Sequence, residues 1–329
     1  MSDVKVKFGL TLPNRGVIIG ATTVPEMLEL AELADRNGWD SVWVGDSIFA
    51  KPRLDALVLL GALAVRTSRV RLGVACMASM PLRHPLLLAY QWASLDLLSA
   101  GRTVLVACQN RPGPGAGDFA HEYEVFGVSP ATRSRRMEEA IEILRLTTSR
   151  TNVSYFGRYF RFENVTILPQ PVQQPVPIWV VANPDLTRPE LVARTFRRVA
   201  RYGDGWMTTR QLPDEFQASV QKIKNYANEL GRDLPAAFEF ALYYNINVNE
   251  DSEQAFAESK RFLDSYYDFD FPPAVVDRWV AYGPPEACIE KLRAFAEAGA
   301  TTITLRLTAY DQRAQFKRVT DEVLKKLRG

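Results

Sequence analysis

Apolar runs of strand length alternate with stretches of helical period along almost the whole chain. VKVKFGLTLP (4–13) is the first run, and VPEMLELAELADRNG (24–38) repeats apolar residues at spacings of three and four until Gly38 stops it. The couple then recurs. DSVWVGD (40–46) precedes LDALVLLGALAVRTS (54–68), VRLGVACM (70–77) precedes PLLLAYQWASLDLLSAG (85–101), and TVLVACQN (103–110) precedes ATRSRRMEEAIEILRLTTS (131–149). PVPIWVVAN (175–183) leads to PELVARTFRRVARYG (189–203), DGWMTT (204–209) to PDEFQASVQKIKNYANELG (213–231), and FEFALYYNINV (238–248) to SEQAFAESKRFLDSYY (252–267). PPEACIEKLRAFAEAG (284–299), TTITLRL (301–307) and a closing helix over 312–327 complete the series.

Strands that are apolar on both faces and separated by helices mean a parallel sheet covered on both sides. Eight such units predict an α/β fold of the (β/α)8 TIM-barrel type, one domain over residues 1–329. Two segments break the rhythm. Residues 154–175, SYFGRYFRFENVTILPQPVQQP, follow the fourth barrel helix without a helical period and predict a hairpin excursion. Residues 268–285, DFDFPPAVVDRWVAYGPP, read as an irregular cover over the barrel mouth before the last crossover helix.

Composition narrows the function classes without choosing one. The chain is 47% hydrophobic and 24% charged, and 40 basic against 38 acidic residues leave a formal charge of +2. That balance gives no reason to expect nucleic acid as a partner, and RSRRMEE is the one dense basic cluster. No apolar run is long enough for a membrane span, and MSDVKVKFGL enters a strand without a signal peptide's apolar segment. Cys76, Cys108 and Cys288 are few, odd in number and widely spaced, which fits neither a disulfide framework nor a zinc site and predicts a cytoplasmic setting.

Barrel active sites lie at the strand C-termini. Those ends carry Pro13 and Asn14, Asp46 and Ser47, residues 75–77, residues 108–110, Ala182 and Asn183, Thr208 and Thr209, Asn247 and Arg306. HExxH, CxxC, GxSxG and P-loop patterns are missing, and GPGAG after the fourth strand does not open a helix. With two histidines at unrelated positions, a histidine-based metal site is not expected. A site so short of titratable groups suits a bound cofactor that carries the chemistry. Aromatics near the mouth, Phe49, Trp206, Tyr243, Tyr244, Phe269 and Phe271, serve either that pocket or the core.

Several segments, in order, carry a resemblance: KFGLTLPN, NGWDSVWVGDS, VRLGVACM, LRHPLLLAYQWASLDLLSAGRTVLVA, HEYEVFGV, VSYFGRYFRFENVTILPQPVQQPVPIWV and ARYGDGWM. Together the chain resembles the bacterial-luciferase-like superfamily of flavin and deazaflavin oxidoreductases. The resemblance implies a barrel that binds FMN or coenzyme F420 at the strand C-termini. It implies a non-prolyl cis peptide at Ala75–Cys76 behind the cofactor ring, with Cys108 and Gln109 at the next strand end. It implies a phosphate site at Asn183 and Thr187. Asp185 departs from that pattern, because a carboxylate repels a phosphate unless it turns away. Gln109 stands where luciferase has arginine, which leaves Arg111 or Arg133 to supply the charge, although residues 133–136 read equally as a solvated helix face. The second strand ends in Asp46-Ser47 where related enzymes have an acid followed by histidine. Asp46 is the candidate for orienting the ring or carrying a proton.

The leading functional reading is a monooxygenase in which reduced flavin, supplied by a partner reductase, meets oxygen and a small organic substrate. The alternatives are F420-dependent hydride transfer and a non-catalytic flavin-binding barrel. A Schiff-base aldolase ranks last, since no strand end carries a lysine. The helix LDALVLLGALAV is apolar nearly all round, which predicts a homodimer. His84 precedes Pro85 at the start of the third barrel helix, close enough to the predicted cofactor to be a catalytic candidate, while a structural hydrogen bond is the competing role.

Overall fold

The computed structural model describes residues 6–110 and 117–328. Its strands in chain order are β1 (Lys7–Thr11), β2 (Ser41–Val44), β3 (Arg71–Met77), β4 (Thr103–Ala107), β5 (Val153–Phe156), β6 (Arg161–Val165), β7 (Ile178–Val181), β8 (Gly205–Thr209), β9 (Glu239–Val248), β10 (Val280–Gly283) and β11 (Thr302–Leu307). Helices α1 (Val24–Arg36), α2 (Ala56–Arg66), α3 (Pro85–Leu98), α4 (Phe119–Val125), α5 (Arg133–Thr147) and α6 (Pro189–Tyr202) precede β8. After it come α7 (Pro213–Glu229), α8 (Ser252–Tyr267), α9 (Pro273–Trp279), α10 (Pro285–Glu297), α11 (Gln312–Arg318) and α12 (Lys325–Arg328). A π-helical stretch, Val319–Leu324, joins the last two into the single closing helix the periodicity predicts.

Eight of these strands close a parallel barrel in the order β1-β2-β3-β4-β7-β8-β9-β11. Proline in the first turn opens α3, α6, α7, α9 and α10, where its missing N–H costs nothing and its fixed φ already suits a helix. Two apolar layers result. Inside, Trp43 of β2 and Trp179 of β7 are not sheet neighbours, yet their rings meet at 5.3 Å, so both indoles project into the lumen. Gly9 and Gly73 make room for them, since a Cβ on either would overlap Trp43. Outside, Trp206 of β8 packs on Phe196 of α6 and Phe216 of α7.

The excursion after α5 is the expected hairpin, β5 against β6. The segment 268–285 differs from the expected irregular cover, because it contains α9 and then β10. Its helix is seven residues long, too short to establish a period, and β10 becomes a strand through its partner rather than its composition. β9 has ten residues: its first half pairs with β8, and Asn245, Ile246, Asn247 and Val248 pair with β10 along the same edge. The glycine-rich loop after β4 likewise contains α4, started by the Asp118 carboxylate accepting from His121 N–H.

Candidate functional site

An open cavity lies at the C-terminal ends of the barrel strands. Its wall at β3 is a bulge: the pairing with β4 shifts between Val74 and Met77, and the Ala75–Cys76 peptide is cis. Cys76 and Cys108, on adjacent strand ends, both line it and share a thiol hydrogen bond. That bond, then burial, pushes Cys76 well above its ordinary pKa, while the same bond lowers Cys108. Asp46, at the end of β2, also lines the cavity. Its Oδ2 accepts from Ser79 N and Ser79 Oγ, both at 2.7 Å, and Arg83 approaches Oδ1 at 3.5 Å.

The loop from β2 to α2 reaches over this cavity and is firmly held. The backbone N–H groups of Ile48, Phe49 and Ala50 all donate to Glu122 Oε2, at 3.1, 2.7 and 2.8 Å. Three successive amides around one carboxylate form a built anion nest, with α4 supplying the anion. Further along, Ser47 Oγ and Arg53 Nε both donate to the Lys51 carbonyl, at 2.5 and 3.0 Å. So clamped, the loop places the Lys51 side chain in the cavity, 4.5 Å from the Tyr267 ring centre. Burial, together with Arg53, Arg210, Arg15 and Arg306, pushes the Lys51 amine down to about 7.

The opposite wall comes from β11 and from the α8–α9 cover. Arg306 is buried against the Tyr266 ring at 3.9 Å and donates to Tyr267 Oη at 3.0 Å. Trp279 closes the cavity from the cover, and the guanidinium of Arg210 stacks on it at 5.2 Å. Among the described residues, the lining carries four cations (Lys51, Arg53, Arg210 and Arg306) against one carboxylate, Asp46. Three lining residues also hold buried N–H donors with no hydrogen-bond partner among the described residues: Asn110 Nδ2, Trp279 Nε1 and Arg306 Nε. Buried donors left unmatched are costly unless something meets them. The lining therefore suits a ligand rich in acceptor oxygens and negative charge.

Of the residues singled out from sequence, Asp46, Ala75, Cys76, Cys108 and Asn183 come together around this cavity. His84 does not line it. It is the N-cap of α3, its Nδ1 accepts from Leu86 N–H at 3.3 Å, and its ring meets Phe160 edge-on at 5.6 Å. Gln109 turns toward α5, where its side-chain oxygen accepts from Ser134 Oγ. Arg133, at the start of the same helix, donates to the Pro130 carbonyl. Arg111 lies outside the described residues. Thr187 lines a neighbouring groove with Asn183, Arg210 and Arg278, but both its N–H and its hydroxyl donate to Asp185 Oδ1, at 3.0 and 2.7 Å. Asp185, which is exposed, thus takes the donors expected to hold a phosphate, and Thr187 lowers its pKa. Lys51 and Arg53 escaped the sequence reading because it weighed strand ends alone, whereas KPR sits several residues further, in a βα loop on the active face.

Residues 6–302 match the family profile of the luciferase-like monooxygenases. An F420-dependent glucose-6-phosphate dehydrogenase of Amycolatopsis mediterranei is 26% identical, over 92% of this chain and 95% of its own. Among solved structures, the monooxygenase RslO1 from Streptomyces bottropensis superposes with a TM-score of 0.80 at 24% identity, covering 98% of this chain and 99% of its own. An F420-dependent secondary alcohol dehydrogenase in complex with an F420–acetone adduct gives 0.79 at 20% identity, covering 99% and 100%. The chain belongs to the luciferase-like monooxygenase family.

Proposed function

We propose that this protein is an oxidoreductase that binds a flavin-type cofactor at the barrel mouth and exchanges a hydride between coenzyme F420 and a small anionic hydroxy compound. The observation that carries the reading is the lining itself, cationic and with buried N–H donors left for a ligand to meet. F420 brings ring carbonyls and an anionic tail, which answer both features. The likeness along the whole chain to F420-dependent glucose-6-phosphate dehydrogenases, whose substrate is itself a phosphate ester, supports the same choice. The Ala75–Cys76 bulge would back the ring, and Asn183 and Arg210 would lie along the tail. When bound, the cofactor supplies the hydride acceptor. The protein's own residues bind, orient and neutralise charge around it.

The family description favours a second reading, an FMN-dependent monooxygenase fed by a separate flavin reductase. Oxygen separates the two. Reconstituted with F420 and offered glucose 6-phosphate or 2-propanol under strict anaerobiosis, the protein is expected to reduce the cofactor. Turnover seen only with reduced FMN and oxygen would instead make it a monooxygenase.

A homodimer through α2 and α3 belongs to the same proposal. Val58, Val65, Leu87, Tyr90 and Leu98 are all at least half exposed on these neighbouring helices, an apolar face left uncovered among the described residues. Light scattering is expected to give twice the chain mass, and Val58→Arg to halve it. The free thiols Cys76, Cys108 and Cys288 suit a reducing, cytoplasmic compartment.

A further inference from the structure

Two buried donors from different elements stand against the same pair of rings in the cavity wall. Arg306, on β11, has its guanidinium carbon 5.3 Å from the Tyr243 ring centre and 5.7 Å from that of Tyr267. Trp279, at the end of α9, meets the same two rings at 6.1 and 5.3 Å. Both residues line the cavity, and they are only 1% and 3% exposed. Each nevertheless keeps a side-chain N–H without a hydrogen-bond partner among the described residues, Nε in Arg306 and Nε1 in Trp279. Arg306 is also a charge without a counter-charge. Its one hydrogen bond among those residues runs from Nη1 to Tyr267 Oη, and no carboxylate pairs with it. The Nε–Nη2 edge of the guanidinium is therefore open.

We propose that Arg306 and Trp279 form an anion subsite: the Nε–Nη2 edge of Arg306 and the indole N–H of Trp279 together hold an oxyanion group, carboxylate or phosphate, of a small hydroxy compound. Calling that compound the substrate rests on the hydride-transfer reading above. Arg306 then determines specificity, because it favours a hydroxy compound that carries a charge over a neutral alcohol. β11 is not a neighbour of β3 in the barrel, so the subsite is separate from the Ala75–Cys76 bulge that the same reading gives to the cofactor ring.

The chemistry of the donors and the bracing around them both fit that role. One edge of a guanidinium presents two parallel N–H groups, which match two oxygens of a carboxylate or phosphate. Burying such a charge unpaired costs stability, and an anion that reaches it offsets the cost. The walls hold the donors in place before any ligand arrives. Tyr266, whose ring centre is 3.9 Å from the guanidinium carbon, donates its hydroxyl to Asn14 Oδ1 at 3.4 Å and accepts from Arg15 N–H at 3.3 Å. Tyr243 and Tyr267 share a hydroxyl hydrogen bond at 3.2 Å, and Asn245 Nδ2 holds the Trp279 carbonyl at 3.0 Å. Donors fixed in this way lose little freedom when an anion binds.

The test reads the indole directly. In cofactor-free protein carrying 15N-labelled tryptophan, the Trp279 side-chain signal is the one that disappears in Trp279→Phe. Titration with lactate or with glycerol 3-phosphate is expected to move that signal downfield, and the ligand that moves it at the lower concentration tells carboxylate from phosphate. Neutral 1,2-propanediol should leave it in place. Arg306→Met should weaken anion binding about 10²-fold, and Arg306→Lys, which keeps the charge but loses the paired donors, about tenfold. Arg306→Met should also melt no lower than wild type, since it removes a buried charge that no carboxylate answers. A Trp279 signal that neither anion moves, or that the diol moves as far, overturns the proposal, as does an Arg306→Met protein that binds within threefold of wild type. Should the Arg306 variants not fold, Trp279→Phe decides alone. It keeps a ring and loses only the N–H, so about tenfold weaker anion binding is expected, and unchanged affinity overturns the proposal. Anion binding as described, together with bound F420 that no hydroxy compound reduces, supports the subsite and overturns the hydride-transfer reading alone.

Discussion

At the N-terminal end of the barrel, buried Glu239 has Arg71, Lys7 and Thr302 all on its one carboxylate, whereas at the other end Arg53, Arg210 and Arg306 rest on carbonyls, hydroxyls and ring faces. The two ends share the same strands. They differ in whether charge is matched from within. At the floor the chain supplies both signs, and the network holds strand ends together. At the mouth it supplies one sign in excess and leaves donors unmet, an arrangement that costs stability unless a ligand completes it. The difference separates a structural end from a binding end more sharply than any single side chain does.

The floor should break first and hardest. Glu239→Ala leaves Arg71 without its buried carboxylate and is expected to cost about 3–5 kcal/mol in denaturant unfolding, with cofactor affinity of the folded fraction unchanged. A floor that tolerated the change to within 1 kcal/mol would erase the contrast. At the mouth, removing charge should do the reverse. The native pKa of Lys51 lies below its ordinary value, so between about pH 7 and 10.5 the unfolded chain holds a proton that the native protein lacks, and stability rises with pH across that window. Below pH 7 the whole penalty is present. Lys51→Met is therefore expected to stabilise the protein at pH 6, by about 2 kcal/mol or more, and the gain should fade toward pH 10.5 in parallel thermal melts.

Smaller effects sharpen the picture. Glu122→Gln keeps an acceptor but loses the charge that holds three amides, so a loss of about 1 kcal/mol is expected, with faster hydrogen exchange confined to residues 48–50. On the outer surface, removing Arg313 from Glu29 should move stability by less than about 0.5 kcal/mol, since that pair belongs to neither end.

The barrel was legible because each strand is apolar on both faces and each helix has a period long enough to count. The hairpin was legible as the stretch where that period lapses. The α9–β10 cover was not: Val280 to Gly283 has little strand character until the free edge of β9 supplies its ladder. Site residues on strand ends, Asp46, Ala75, Cys76, Cys108 and Asn183, could be placed because the topology brings strand ends together. Lys51 could not, because its position depends on a carboxylate 71 residues further along the sequence, at the far side of the cavity wall. The contacts of Thr187 were hidden for a related reason. Its donors are there, but Asp185, two residues away, reaches them first.

The length of β9 has one more consequence. Its far half carries β10 as a ninth rung, and Asn245 Nδ2 donates to the Trp279 carbonyl at 3.0 Å, so the cover over the cavity is stitched to the wall rather than hinged on it. That side of the cavity is framed by a hydrogen-bonded ladder.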